Sequence, residues 1–295
     1  MKKVQHITEY IILNLLLIPL KILPLRWAIE IGGAIGLVAY WLRIRVKVSR
    51  KNLALTFGDK LTAQQKEKII AESYKNFGRS TVEFALMNRF KGKLTNYIQI
   101  DNKNLFDSIS GKMSAVLVSG HFSSWELMGA GLAEYGYPID FLVGKQKNSY
   151  IDNMMNNLRS QMGIGLIPIG ISARRVIKAL RKKRFVAMLS DQDAGEDGEV
   201  VQFFNQPAST PKGPAAFAMQ MNCPILAGVI LRVEPLRYKV YVKQLNPPTD
   251  TDKSEAIRLL TQQYTTILEG FIKKWPEHYF WAHRRFKSSA KGIYK

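Results

Sequence analysis

Ser114-Ala115-Val116-Leu117-Val118-Ser119-Gly120-His121-Phe122-Ser123-Ser124-Trp125-Glu126 is the stretch on which the reading of this chain turns. The short apolar run from Ser114 to Ser119 suits a strand buried on both faces. Gly120 lets the backbone turn closely. A helix is expected from about Ser124 to Tyr135, two or three residues after His121. His121 therefore stands at the carboxyl end of a strand, where ligands collect in open α/β sheets. Its spacing to Glu126, four residues between, lets the carboxylate fold back and hold one ring nitrogen. The other nitrogen is then free to take a proton from a hydroxyl. A plainer reading competes: Ser123-x-x-Glu126 matches a capping box that closes a helix N-terminus, with His121 a satisfied loop histidine.

Outward from this stretch, strands and helices alternate. Residues 61–91 read as helix, with Thr62 as its cap. Strands are expected at 139–143, 165–169 and 185–189, separated by helices at 150–162 and 173–183. A helix at 214–221, strands at 224–233 and 238–242, a long helix at 254–274 and a final strand at 279–283 follow. The pattern predicts an α/β fold with a mixed, largely parallel sheet flanked by helices.

From Ile7 to Trp41 the chain is apolar but broken by Pro19, Lys21, Pro24, Arg26 and Glu30. No cleavage site follows. Arg43, Arg45, Lys47, Arg50 and Lys51 follow instead, a basic run suited to anionic head groups. Residues 7–42 are expected to form an uncleaved membrane-anchoring helical segment, either one tilted span or a hairpin dipping into one leaflet. Two buried core helices are the alternative. The division expected is a membrane anchor over 1–45 and a second domain over 46–295, which the basic run would hold on the cytoplasmic side at the inner leaflet. The formal charge of +20, from 43 Lys and Arg against 23 Asp and Glu, speaks of acidic partners rather than of fold. Anionic membrane lipids, nucleic acid and an acidic protein all fit it. Basic residues scattered along the chain, rather than gathered with aromatics, count against nucleic acid. For the same reason a purely binding, non-enzymatic role is the remote reading.

Asp191-Gln192-Asp193 ends the strand at 185–189 and is a second polar cluster. It fails as a calcium loop, because Gly195 and Gln202 stand where oxygen ligands are needed. Arg159, Arg174 and Arg175 on the intervening helices, with Arg284 and Arg285 after His283, are candidates for gripping phosphates or carboxylates. Among the four histidines there is no His-Glu-x-x-His, and the chain has no nucleophile elbow, Walker loop or dinucleotide fingerprint. The single cysteine, Cys223, allows no disulfide framework. No cofactor or metal is expected.

These motifs together resemble the late lauroyl and myristoyl transferases of lipid A biosynthesis, within the wider glycerolipid-acyltransferase group. The resemblance spans essentially the whole chain. It rests on His121-x4-Glu126, on the segment from Leu180 that closes on Asp191-Gln192-Asp193, on Phe203-Phe204-Asn205-Gln206-Pro207-Ala208-Ser209-Thr210, and on the run from Pro276 to Lys287. It implies an inner-membrane enzyme moving an acyl chain from an acyl carrier protein thioester to a hydroxyl or hydroxyacyl group of a lipid A precursor. His121 would be the general base and Glu126 its orienting partner, with no acyl-enzyme. Arg159, Arg174, Asp191, Asp193 and Arg284 would line the substrate pocket. Acceptors on the same scaffold could instead be lysophospholipid, ornithine lipid or another glycolipid. The chain departs from the family at Gly144-Lys145-Gln146-Lys147-Asn148, where an Arg-Pro or Lys-Pro pair is common. That departure bears on acceptor contacts.

Overall fold

The computed structural model describes residues 2–170, 172–249, 251–290 and 292–294. In chain order the elements are α1 (Lys2–Ile22), α2 (Leu25–Trp41), α3 (Val46–Phe57), α4 (Ala63–Ala85), α5 (Leu94–Tyr97), β1 (Ile98–Ile100), α6 (Lys103–Ile109), β2 (Ala115–Ser119), α7 (Trp125–Glu134), β3 (Ile139–Val143), α8 (Ser149–Gln161), β4 (Gly165–Pro168), α9 (Ser172–Arg181), β5 (Phe185–Leu189), β6 (Glu199–Phe203), β7 (Gln206–Thr210), α10 (Gly213–Met221), β8 (Ile225–Glu234), β9 (Arg237–Leu245) and α11 (Lys253–Lys274).

Among the described residues one sheet runs in the order β1-β9-β8-β2-β5-β3-β4. β2 is buried along its whole length. Side chains alternate between the faces of a strand, so Val116 and Val118 enter one core and Ala115 and Leu117 the other. That double burial explains the unbroken apolar run. Pairing is parallel throughout except for the β8–β9 hairpin. Three parts of the sheet architecture depart from expectation. β1 and the separate β6–β7 hairpin were not foreseen. Residues 279–283 are not a strand: Tyr279 makes one bridge to Phe122, and the segment lies along the loop that carries His121.

The N-terminal residues form two helices broken at Pro24, the N-cap residue of α2. Among the described residues no single helix is long and apolar enough to cross a membrane. The segments Leu25–Trp41 and Val46–Lys60 reach that standard only together, bent by 87°. α1 and α2 show an outward row of large apolar residues, including Ile11, Leu15, Ile18, Trp27, Ile31, Ile35 and Trp41.

α2 packs directly on α4 through glycines. A Cβ at Gly78 would meet the Gly32 carbonyl oxygen at 2.1 Å, and one at Gly36 would meet the Tyr74 carbonyl oxygen at 2.1 Å. Backbone cannot yield as a side chain can, so the helices must part. Gly78→Ala is expected to destabilise by about 1–3 kcal/mol, the usual cost of overpacking. Gly270→Ala in α11, where nothing lies within 4 Å, is expected to gain about 0.5–1 kcal/mol from lost glycine entropy. Denaturant unfolding of the two variants checks the contrast.

Candidate active site

β2 and β5 are neighbours, with Ser119 opposite Leu189. Two residues beyond each lie His121 and Asp191, so the sheet itself brings them together. The Asp191 carboxylate grips His121 twice. One oxygen accepts from the His121 backbone N–H at 2.9 Å, and the other lies 2.9 Å from Nδ1. A side chain at position 120 would crowd that carboxylate, since its Cβ would sit 3.0 Å from the Asp191 Cβ. The need for glycine is here one of space.

The loop after His121 is held from the C-terminal side. Ser123 takes a left-handed φ of 49°. Its N–H donates to the His278 carbonyl at 2.8 Å, and the Phe280 N–H donates to the His121 carbonyl at 3.0 Å. The imidazole rests edge-on against Trp125, with ring centres 4.9 Å apart.

Glu126 does something other than expected. Neither ring nitrogen of His121 is bonded to it. Ser124 is the N-cap residue, without a side-chain cap bond, which places Glu126 in the first turn of α7 facing α8. There Arg159 holds it bidentately, at 2.6 and 3.0 Å, with both side chains nearly buried. The capping-box alternative fails by the same geometry. Planar guanidinium–carboxylate pairs of this kind are strong and directional.

Burial alone would depress the His121 pKa. The charge and hydrogen bond of Asp191, with a smaller push from Glu126, outweigh it and hold the ring above its ordinary 6.5. Burial would likewise raise Asp191, but His121 keeps it below the ordinary carboxyl value. A base must be neutral to act, so the acid limb of kcat/KM is expected above pH 6.5. Asp191→Asn removes the main upward push while burial remains. Its limb is expected to shift to lower pH, and kcat to fall roughly a hundredfold or more because the ring loses its tautomer and orientation. A pH–rate profile of both proteins reads the two effects separately.

A cavity of about 250 Å³ opens beside His121, Trp125, Glu126 and Arg159. It continues to Leu132 and Ile139, so it follows α7 for about 10 Å at 1.5 Å per residue. Its inner wall is apolar, including Leu117, Met128 and Phe141. Gly129 makes room for Phe141, whose ring would lie 2.0 Å from a Cβ there.

The remaining candidates scatter. Asp193 ties the C-terminal tail, its carboxylate accepting from the Ser288 N–H and hydroxyl at 3.0 and 2.7 Å. Its own N–H donates to His283 Nε2, and burial drives the His283 pKa down to about 4. Arg174 is exposed on α9 and Arg284 is exposed beyond the site; neither lines the cavity. His121, Asp191, Glu126 and Arg159 are the four brought together.

A network beneath the loop was missed altogether. Glu83 of α4, fully buried, is held by Arg232 of β8 at 2.6 and 2.8 Å and by the Tyr238 hydroxyl at 2.6 Å. Ser124 donates to the same carboxylate. One sign was available: Arg232 interrupts the apolar run of β8, and a charge inside a buried strand needs a partner.

The model of the bacterial lipid A biosynthesis acyltransferase family matches residues 1–288. The chain belongs to that family. It is an acyltransferase. It is 26% identical over 270 residues to the lipid A biosynthesis palmitoleoyltransferase of Escherichia coli, covering 89% of this chain and 85% of that protein. To the lipid A biosynthesis lauroyltransferase of the same organism it is 25% identical over 280 residues, covering 92% and 89%. Among solved structures, the 1-acyl-sn-glycerophosphate acyltransferase of Thermotoga maritima matches 82% of this chain and 98% of its own, at 13% identity and a TM-score of 0.37.

Proposed function

We propose that this acyltransferase moves an acyl chain from an acyl carrier protein thioester to a hydroxyl of a lipid A precursor, with His121 as general base. The observation that carries the reading is the double grip of Asp191 on His121. With Nδ1 engaged by Asp191, Nε2 is the nitrogen for the acceptor hydroxyl, which would displace the long 3.5 Å contact of the Gln192 amide. Asp191, rather than Glu126, is then the orienting carboxylate. As the hydroxyl oxygen attacks the thioester carbonyl carbon, its proton passes to Nε2. The C–O bond forms, the C–S bond breaks, and the thiolate leaves to take the proton from His121. No protein acyl ester intervenes. The apolar cavity along α7 receives the donor chain, and the Glu126–Arg159 pair stiffens its mouth.

The outward apolar row of α1 and α2 supports docking on one leaflet, with Arg43, Arg45 and Lys47 toward anionic head groups. The same positive excess would steer an acidic carrier protein to the site. The test is transfer by purified full-length protein of labelled acyl chain from carrier-protein or coenzyme A thioester. Acceptors would be a tetra-acylated lipid A precursor, a lysophospholipid, an ornithine lipid and a glycolipid. Transfer to the lipid A precursor from the carrier thioester is expected. Transfer only to another acceptor, or only from coenzyme A, would overturn that half of the assignment. Label retained on denatured protein would overturn direct attack.

A further inference from the structure

A second cavity, of about 220 Å³, lies between α4, α7 and α8, lined chiefly by Phe77, Thr81, Phe84, Leu127 and Met155. It shares Trp125, Glu126 and Met155 with the cavity beside His121, so the two flank one wall. Trp125 forms that wall beside the imidazole, and Phe77 stacks on Trp125 with ring centres 6.2 Å apart.

We propose that this second cavity is a binding site for a hydrocarbon chain belonging to the acceptor lipid. Donor chain and acceptor chain would then lie on opposite sides of Trp125 and converge on His121. The inference rests on the reading of His121 as the base for acyl transfer to a lipid.

Three observations favour a hydrocarbon occupant over a sugar or phosphate. The one charged group in the lining, Glu126, is already neutralised by Arg159. The three hydroxyls in the lining are committed as well, Ser80 and Ser124 to the Glu83–Arg232 network and Thr81 to the Phe77 carbonyl. A polar ligand would therefore be desolvated without compensation, whereas an apolar chain loses nothing. The cavity also opens in the right direction. Phe77 and Thr81 are exposed at its rim. α4 carries α2 through the glycine contacts, and α8 carries α1, where Tyr10 packs on Tyr150 and Asn148 donates to the His6 carbonyl and to Glu9. The space between α4 and α8 thus lies between the two helices whose outer faces expose Leu15, Leu16, Trp27, Ile31 and Ile35. A chain leaving a lipid layer on that side would meet apolar surface as far as Trp125.

The experiment uses full-length protein in lipid nanodiscs, with the first cavity filled by a non-hydrolysable thioether analogue of the acyl donor. The probe is a tetra-acylated lipid A precursor bearing a diazirine near the end of one acyl chain. A lysophospholipid with the same tag serves as the second arm. Irradiation of wild type is expected to label the 77–84 segment and Met155. Thr81→Trp plugs the rim from outside the core, where the threonine hydroxyl bonds only the Phe77 carbonyl. It is expected to lower that labelling and raise the acceptor KM by about tenfold or more, with kcat far less affected, as for loss of uniform binding. Labelling confined to the α7 cavity or to the outer faces of α1 and α2 would overturn the proposal, as would an unchanged acceptor KM in Thr81→Trp. Because labelling needs no turnover, a protein that labels at 77–84 but transfers no acyl chain would refute the catalytic reading and not the chain site.

Discussion

His121→Ala is expected to abolish acyl transfer, lowering kcat/KM by about a thousandfold within the range typical of a lost general base. The fold should survive. The imidazole is about one-fifth exposed, edge-on to Trp125 and beside Phe280 and the Gln192 amide. The loop is fixed mainly by backbone bonds to His278 and Phe280, which alanine keeps. The hydrogen bond from the residue 121 N–H to Asp191 also survives, leaving Asp191 buried beside the gap. The buried Asp191 carboxylate loses its ring partner, so some loss of stability is expected; cooperative unfolding with transfer lost far beyond that loss would place the defect in chemistry. The comparison with Asp191→Asn sharpens it: if Asp191 works only through the ring, adding Asp191→Asn to His121→Ala should cost nearly nothing more. Groups acting as a unit are strongly non-additive. Equal transfer by wild type and His121→Ala would mean that another group is the base.

How far the site could be read in advance depends on how far apart its parts lie in sequence. β2, the glycine turn and His121 were legible because they are contiguous and double burial writes an unbroken apolar run. Asp191 was visible as a polar residue at a strand end, but its partner was not. Seventy residues separate it from His121, and only strand order makes them adjacent. Sequence spacing pointed to Glu126 instead, since i and i+5 look close on paper. The helix start at Ser124 then turns Glu126 toward α8 and Arg159. The β6–β7 hairpin was missed for a related reason. Pro207 and the polar run Gln206–Thr210 mask its second strand, although Phe204-Asn205, both at positive φ, make a turn of the hairpin kind. Residues 279–283 are rich in β-forming aromatics, yet their backbone partners are in the His121 loop. Propensity cannot distinguish a strand from a strap.

Replacing Glu83 by alanine is expected to cost about 3–5 kcal/mol, because it leaves the Arg232 guanidinium buried with no counter-charge. Burial works against the charged form of Arg232, and the Glu83 carboxylate is what more than restores it. The same change strands the Tyr238 hydroxyl and frees Ser124, which begins α7. Stability and activity should therefore fall together, the second through the loop between His121 and Trp125. Arg232→Ala should be as costly, since it exposes the mirror problem of an unpaired carboxylate. The paired replacement Glu83→Gln with Arg232→Met removes both charges, and is expected to recover most of the stability by urea unfolding. Replacing a buried ion pair with uncharged side chains of similar size is often close to neutral. Activity offers the sharper reading. If the network merely glues α4 to the sheet, the paired variant should transfer acyl chains at the wild-type rate. If it also sets the start of α7, stability should return while kcat stays depressed. The geometry favours the second outcome, because Ser124 receives 3.0 Å contact from Arg232 Nη2 and bonds the Glu83 carboxylate as well, and methionine and glutamine cannot reproduce both bonds.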